Sequence, residues 1–248
     1  MAAAGCGPGA APSRPRIRIA AAADLNVALE ALLERFRASH DVEVTVSYGS
    51  SGTFYAQLLN QAPFDMFFSA DLEYPRQLAA RGLTVPQSEF SYAIGRLVVW
   101  TPASSPLDVE QRGLRALADA GVVHVAIANP EHAPYGRAAV AALRAAGLFV
   151  QVQPKLVYGE NVAQALQFAD SGAADAGIIA LSLALTPSLK DRARWMEIPI
   201  DTYPRMVQGG TILKWAADVE AARSLRAFAI GADGRAILKR YGFFLPDA

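Results

Sequence analysis

The stretch Val44–Gly52 contains the residues whose chemistry is most readily interpreted. Its sequence, V-T-V-S-Y-G-S-S-G, is a β-branched run that ends at two serines between glycines, and the helically spaced T-F-Y-A-Q-L-L-N follows it. Ser51 is therefore predicted at a helix start, where the first backbone N–H groups lack intrahelical partners and the positive end of the helix dipole faces outward. Such a position is suited to binding an anion.

Three further places show the same succession of strand, small polar turn and helix. Asp24 follows the predicted strand Arg16–Ala22, Tyr135 follows the loop N-P-E-H-A-P, and Asn161 precedes a helix whose apolar face begins at Val162. Four helix starts of one kind indicate a site for a small dianionic oxyanion. Neutral donors would bind it, namely hydroxyl groups and backbone N–H groups.

Each of these residues also has a purely structural explanation. Ser51 and Asn161 could serve only as helix caps, and Tyr135 could be a packed ring in a surface turn. Asp24 opposes the anion hypothesis directly, because a carboxylate facing a dianion in a desolvated pocket would repel it by roughly several kcal/mol. We therefore expect the Asp24 side chain to turn away and cap its own helix, leaving its backbone N–H to the ligand.

The composition excludes several classes of function. Twenty-three basic residues balance 23 acidic ones, so no net field would attract nucleic acid or anionic lipid. Cys6 is the single cysteine and the three histidines, His40, His124 and His132, lack metal-ligand spacing, so neither a metal site nor a cofactor is predicted. The P-loop, dinucleotide-binding, zinc-protease and serine-hydrolase motifs are absent, which favours a binding protein over an enzyme.

The order of the predicted elements indicates an α/β protein. Strands alternate with helices along most of the chain, which is typical of mainly parallel sheets covered by helices. Residues Ser91–Trp100 read as one long strand, and Thr202–Leu213 as a long strand with a glycine bend that returns the chain to its first half. Residues 1–15 are small and rich in glycine and proline, so a flexible leader is predicted there.

Six motifs in a fixed order resemble the molybdate-binding proteins of bacterial ABC-type uptake systems. They are R-I-A-A-A-A-D-L, S-Y-G-S-S-G-T-F-Y-A-Q-L, D-M-F-F-S-A-D, N-P-E-H-A-P-Y-G, G-E-N-V-A-Q-A-L and K-R-Y-G-F-F-L-P. The resemblance covers nearly all of Arg16–Pro246. It implies a type II periplasmic binding protein fold, with two α/β domains of mixed sheets joined by two crossover strands and the ligand in the cleft between them.

The resemblance also implies domain bounds and ligand positions. Domain 1 would comprise residues 16–93 and 204–248, and domain 2 residues 94–203. The positions that contact the ligand in the family fall at the four helix starts, on Ala23, Asp24, Ser51, Tyr135, Asn161 and Val162.

Two residues depart from the family pattern. Many members have a hydroxyl residue at the position of Asp24, and many have a tyrosine where this chain has Ala180. The loss of that tyrosine removes one hydroxyl donor. We expect the Tyr135 hydroxyl to replace it from the other side of the cleft.

The expected function is high-affinity binding of molybdate or tungstate by a monomeric periplasmic protein that delivers the anion to a membrane permease. The A-A-G-C sequence around Cys6 resembles the end of a lipoprotein signal, which would add a lipid anchor. The alternatives are a phosphate or sulfate carrier of the same fold and, as a different class, an enzyme that uses the anion pocket. Asp24 supports phosphate specifically, because the proton that phosphate retains needs an acceptor.

Overall fold

The computed structural model describes residues 14–189 and 192–246. Most of the predicted leader and Cys6 lie outside these residues, while Arg14 and Pro15 are exposed. The chain forms two five-stranded sheets, which confirms the predicted α/β architecture with two mixed sheets. We call the part built on the first sheet domain 1 and the part built on the second sheet domain 2.

Domain 1 contains a sheet of strand order β2-β1-β3-β10-β4. Its strands are β1 (Arg16–Ala22), β2 (Glu43–Gly49), β3 (Met66–Ser69), β4 (Phe90–Gly95) and β10 (Met206–Ile212), and its helices are α1 (Asn26–Arg37), α2 (Ser51–Leu59), α3 (Glu73–Ala80), α9 (Val219–Ile230) and α10 (Ala232–Arg240). Strands β1, β2 and β3 run parallel, and β10 pairs antiparallel with both β3 and β4. Both faces of β1 are buried, because its alanines and isoleucines are covered by helices on either side.

Domain 2 repeats this plan with the order β7-β6-β8-β5-β9. Its strands are β5 (Leu97–Pro102), β6 (Val125–Ala128), β7 (Leu156–Gly159), β8 (Ala176–Ala180) and β9 (Ala193–Glu197), and its helices are α4 (Val109–Arg112), α5 (Pro134–Ala145), α6 (Phe149–Val152), α7 (Val162–Asp170) and α8 (Leu181–Ala184). Strand β6 runs parallel to β7 and β8, whereas β5 is antiparallel to its neighbours β8 and β9. The core surrounds Trp100, which is fully buried.

The prediction of one strand over Ser91–Trp100 is wrong in one respect. The segment contains two strands in different sheets, because β4 ends at Gly95 and β5 begins at Leu97. Arg96 alone separates them, so one residue carries the chain from domain 1 to domain 2. The return passes through the 3-10 helix Ile200–Thr202 between β9 and β10.

The register of the parallel strands brings the predicted helix starts together. Ala22 at the end of β1 pairs with Gly49 at the end of β2, and Ala128 at the end of β6 pairs with Gly159 at the end of β7. The carboxyl ends of parallel strands form one edge of a sheet, where ligands of open α/β folds commonly bind. Each domain therefore presents two of the four helix starts at such an edge.

Candidate functional site in the interdomain cleft

A small cavity between the two domains is lined by all six residues that the sequence singled out. Its volume is about 200 Å³, including the part that is open to solvent. Its lining residues are Ala22, Ala23, Asp24, Gly49, Ser50, Ser51, Ala70, Ala133, Pro134, Tyr135, Asn161 and Val162. Larger surface depressions of 760–930 Å³ exist, but their linings contain none of the four helix starts. We therefore take the small cavity as the candidate site.

Ser51 is the first residue of α2 and is 1% exposed. The cap position belongs to Ser50, and neither serine caps the helix with its side chain. Instead, the Ser51 Oγ accepts a hydrogen bond of 3.0 Å from the backbone N–H of Ala70, at the end of β3. The Ser51 hydroxyl proton is thus left free to point into the cavity, which a pure capping role would not provide.

Three helix starts also leave backbone donors available. Among the described residues, the backbone N–H groups of Ser51, Tyr135 and Val162 have no hydrogen-bond partner. Asn161 caps α7 as predicted, since its Oδ1 accepts from the N–H groups of Ala163 and Gln164. The Asn161 side chain is thereby occupied, and the donor at this corner of the cavity is the N–H of Val162.

Asp24 does not cap its own helix, so that prediction is wrong. Its Oδ2 accepts hydrogen bonds from the Tyr135 hydroxyl at 2.9 Å and from Gln208 Nε2 at 2.6 Å, and Gln208 Nε2 also donates to the Tyr135 oxygen at 3.0 Å. The physical reason is that two buried donors converge on the carboxylate from α5 and β10, whereas a cap would use only a local N–H. The three side chains form a triad across the cleft.

The triad also corrects the expectation for Tyr135. Its hydroxyl proton is donated to Asp24. The Tyr135 hydroxyl therefore does not replace the hydroxyl donor that this chain lacks at Ala180. Ala180 itself is fully buried at the end of β8. The donor that Tyr135 leaves available at the cavity is therefore its backbone N–H, while its hydroxyl bonds to Asp24.

Asp24 is 2% exposed, and burial raises its pKa from 3.8 to about 6, against the opposing effect of the bonds from Gln208 and Tyr135. Its Oδ1 has no hydrogen-bond partner among the described residues. A carboxylate with one oxygen unpaired in a buried site is an uncommon arrangement. The burial of Asp24 favours the protonated carboxyl, so the stability of the folded protein should depend on pH.

Stability should change with pH through Asp24. Because its folded pKa is raised, its ionisation lowers the free energy of unfolding as pH rises from about 4 through about 6. We expect Asp24→Asn, which keeps an oxygen acceptor for Tyr135 and Gln208, to raise that free energy by ~1–3 kcal/mol at pH 8 and to bring no gain at pH 4. Urea unfolding of the ligand-free protein at several pH values measures this difference.

Asp119→Asn is the matched control for that measurement. The Asp119 carboxylate pairs with Arg112 on the surface, and the hydrogen bond from Arg112 lowers its pKa. Its removal should bring no gain at pH 8, because the ionised form is the favoured one there. An Asp24→Asn variant that loses stability at pH 8 would show that ionised Asp24 is well accommodated.

Direct hydrogen bonds between the domains show that the cleft is closed. The carbonyl oxygen of His132 accepts from the Ser50 hydroxyl at 2.6 Å and from the backbone N–H of Gly52 at 2.9 Å. At the rim, Arg137 donates to Asp71 at 2.7 Å and to the Tyr74 hydroxyl at 3.1 Å. Residues of both domains therefore form the walls of the cavity.

Sequence reasoning missed three residues that shape this site. Gln208 lies in the middle of β10 and completes the triad, and the Ser182 hydroxyl donates to the Asp24 carbonyl at 2.9 Å from the other domain. His132 contributes only its backbone carbonyl, which no side-chain signature reveals. The one available signal was a glutamine within an otherwise apolar and glycine-rich strand.

Two further observations concern the rest of the molecule. No group of three or more His, Cys, Asp or Glu residues that could hold a metal ion occurs within 14–189 and 192–246. In the same ranges, every helix is too short or too polar to cross a membrane.

Comparison with known proteins identifies the family. The sequence profile of the bacterial extracellular solute-binding proteins matches residues 17–244. The chain is 36% identical over 200 residues to the molybdate-binding protein ModA of Rhodobacter capsulatus. The aligned residues cover 81% of this chain and 77% of that relative. It is 35% identical over 229 residues to ModA of Azotobacter vinelandii, with coverage of 92% and 90%.

Solved structures agree with the sequence relatives. The periplasmic molybdate-binding protein of A. vinelandii superposes with a TM-score of 0.87 at 36% identity, over 93% of this chain and 100% of that one. The sulfate-binding protein SubI of Mycobacterium tuberculosis superposes with a TM-score of 0.76 at 15% identity, over 94% and 88%, which shows a shared fold alone. Since the matched family and the ModA relatives are solute-binding proteins, the expectation that the chain is not an enzyme is confirmed. The chain thus has the periplasmic binding protein fold and belongs to the bacterial extracellular solute-binding proteins, in the group that contains the molybdate-binding proteins ModA.

Proposed function

We propose that this protein binds molybdate in the interdomain cavity and delivers it to an ABC-type permease. The observation that carries the proposal is the convergence of unpaired donors on one closed cavity, namely the Ser51 hydroxyl and the backbone N–H groups of Ser51, Tyr135 and Val162. Each charge-assisted hydrogen bond to a dianion contributes ~1.5–3 kcal/mol, so four such bonds are sufficient for tight binding. The two ModA relatives, both more than 30% identical, support molybdate as the anion.

The proposal extends to tungstate, which has the same charge and nearly the same size as molybdate. The donors of the site are neutral groups at positions fixed by helix starts, so we expect the site to select by charge and size and not to distinguish these two anions. Sulfate is smaller than either anion, so we expect it to be bound more weakly. The sulfate-binding protein SubI shares this fold, but the relatives at 35–36% identity do not favour a sulfate or phosphate carrier.

The family also bears on location and assembly. Membership of the extracellular solute-binding proteins supports a periplasmic location. We propose that the protein acts as a monomer, since both halves of the cavity come from one chain. Acylation at Cys6 would tether it to the membrane, and mass spectrometry of the protein from its native envelope tests that tether.

Thermal unfolding with added anions tests the proposed function. Molybdate and tungstate at micromolar concentration should raise the melting temperature, because a ligand at a thousand times its Kd stabilises the folded state by about 4.1 kcal/mol. For a chain of this size that corresponds to a rise of roughly 2–4 °C for each kcal/mol. Sulfate should produce no rise even at millimolar concentration. Equal shifts with sulfate, or a larger shift with phosphate, would contradict the molybdate assignment.

A further inference from the structure

The two oxygens of the Asp24 carboxyl differ in their hydrogen bonding. Oδ2 accepts from both Tyr135 and Gln208, whereas Oδ1 is buried without a partner in the described part of the chain. Asp24 lines the same cavity as the donors of the proposed anion site. Oδ1 is therefore the carboxyl atom that is left to interact with an occupant of the cavity.

Within residues 14–189 and 192–246, the groups that act on Asp24 offer no positive charge to balance it. Tyr135 faces it from α5, Gln208 from β10 and Tyr92 from β4, and the Ser182 hydroxyl from α8 bonds to its carbonyl oxygen. Burial raises its pKa and the hydrogen bonds from Gln208 and Tyr135 lower it, and no cation is among these influences. An ionised Asp24 beside a bound dianion would place three negative charges in one buried space.

We propose that Asp24 takes up one proton when the oxyanion binds, and that its Oδ1 then donates a hydrogen bond to the anion. The inference rests on the proposed function, because it assigns a role within the same site. The proton comes from solvent and adds to Oδ1, while Oδ2 keeps its two hydrogen bonds and the anion remains fully deprotonated. The carboxylate that would repel the ligand thereby becomes one of its donors.

The expected size of the effect follows from the ligand-free state. The pKa of about 6 leaves about one tenth of the Asp24 carboxyls protonated at pH 7, so complete protonation in the complex would take up about 0.9 proton per anion. Affinity should then fall about tenfold for each pH unit above 6, until the pKa of the complex is reached. Molybdate remains a dianion throughout this range, so its own titration does not contribute to the slope.

Calorimetric titration with molybdate at pH 7, in two buffers with different ionisation enthalpies, counts the protons directly. We expect an uptake close to 0.9 proton, together with a decline in affinity between pH 6 and pH 8. Tight binding with no proton uptake and with constant affinity across this range would overturn the proposal. Because both quantities come from the native chain, the result does not depend on any variant folding.

Two variants assign the proton to its site. Asp24→Asn should bind molybdate without proton uptake and with a Kd that does not vary from pH 6 to pH 8, and at pH 8 it should bind more tightly than the native chain. Asp119→Asn, which removes a surface carboxylate outside the cavity, should keep the native uptake and slope. Native uptake in Asp24→Asn would place the proton elsewhere and refute the assignment. If the native chain does not bind molybdate at all, the proposed function fails, which is a separate outcome.

Discussion

Gly52→Ala is expected to weaken molybdate binding by roughly ten- to a hundredfold. A Cβ atom at this position would lie 2.4 Å from the carbonyl oxygen of His132 and 2.9 Å from its Cα, both in domain 2. A backbone carbonyl cannot rotate away as a side chain can, so the domains must remain further apart. Overpacking of this kind costs ~1–3 kcal/mol, and here the cost applies to the closed state that holds the anion.

The same substitution should leave each domain folded, because the backbone clash with His132 lies between the domains. Gly52 is the second residue of α2, where alanine is a better helix former than glycine, so urea unfolding should show no large loss of stability. Small-angle scattering with saturating molybdate should give a larger radius of gyration for Gly52→Ala than for the native chain. Gly121→Ala is the matched control, because a Cβ there meets open space. Native affinity and full compaction in Gly52→Ala would contradict the closed geometry.

Ser51→Ala should weaken molybdate binding by ~1.5–3 kcal/mol, which is roughly ten- to a hundredfold. The hydroxyl proton is the donor that would be lost from the site. Removing Oγ also leaves the buried N–H of Ala70 without its acceptor, so the free energy of unfolding of the ligand-free protein should fall by about 1–3 kcal/mol as well. Calorimetric titration measures the first loss and urea unfolding the second.

The loss of affinity and the loss of stability are each compared with the effect of substituting a serine outside the site. Ser47 is exposed on β2, and Ser47→Ala should change neither affinity nor stability. A Ser51→Ala protein that unfolds more easily yet binds molybdate with native affinity would remove this hydroxyl from the anion site. If Ser51→Ala weakens the binding of molybdate and of tungstate by the same factor, the Ser51 hydroxyl is a donor to both anions.

The sequence was sufficient to predict the four helix starts because each depends on neighbouring residues alone. A β-branched run, a small polar turn and a helical apolar pattern fix where Ser51 and Val162 stand, and the parallel register of adjacent strands brings such points to one edge. The cap on α7 is equally local, since Asn161 bonds within its own turn. These features needed no knowledge of distant contacts.

The partners of Asp24 could not be predicted in the same way. Gln208 is 184 positions from Asp24 along the chain, and Tyr135 is 111 positions from it, so the triad exists only once both sheets have formed and the cleft has closed. A local rule therefore assigned Asp24 to a cap that the folded protein does not use. The division of Ser91–Trp100 into β4 and β5 at Arg96 is likewise a tertiary event, because a single Gly95-Arg96 pair within a β-rich run also fits one continuous strand.

The hydrogen bonds that close the cleft have a consequence for how long an anion stays bound. Asp24, Ser51, Tyr135 and Val162 are almost completely buried in the closed form, so an anion among them can leave only after the domains separate. The bonds to the His132 carbonyl and the pair of Arg137 with Asp71 must break together for that separation to occur. The residence time of the anion is then set by the rate of domain opening, and a permease that pulls the domains apart shortens it without competing for the anion.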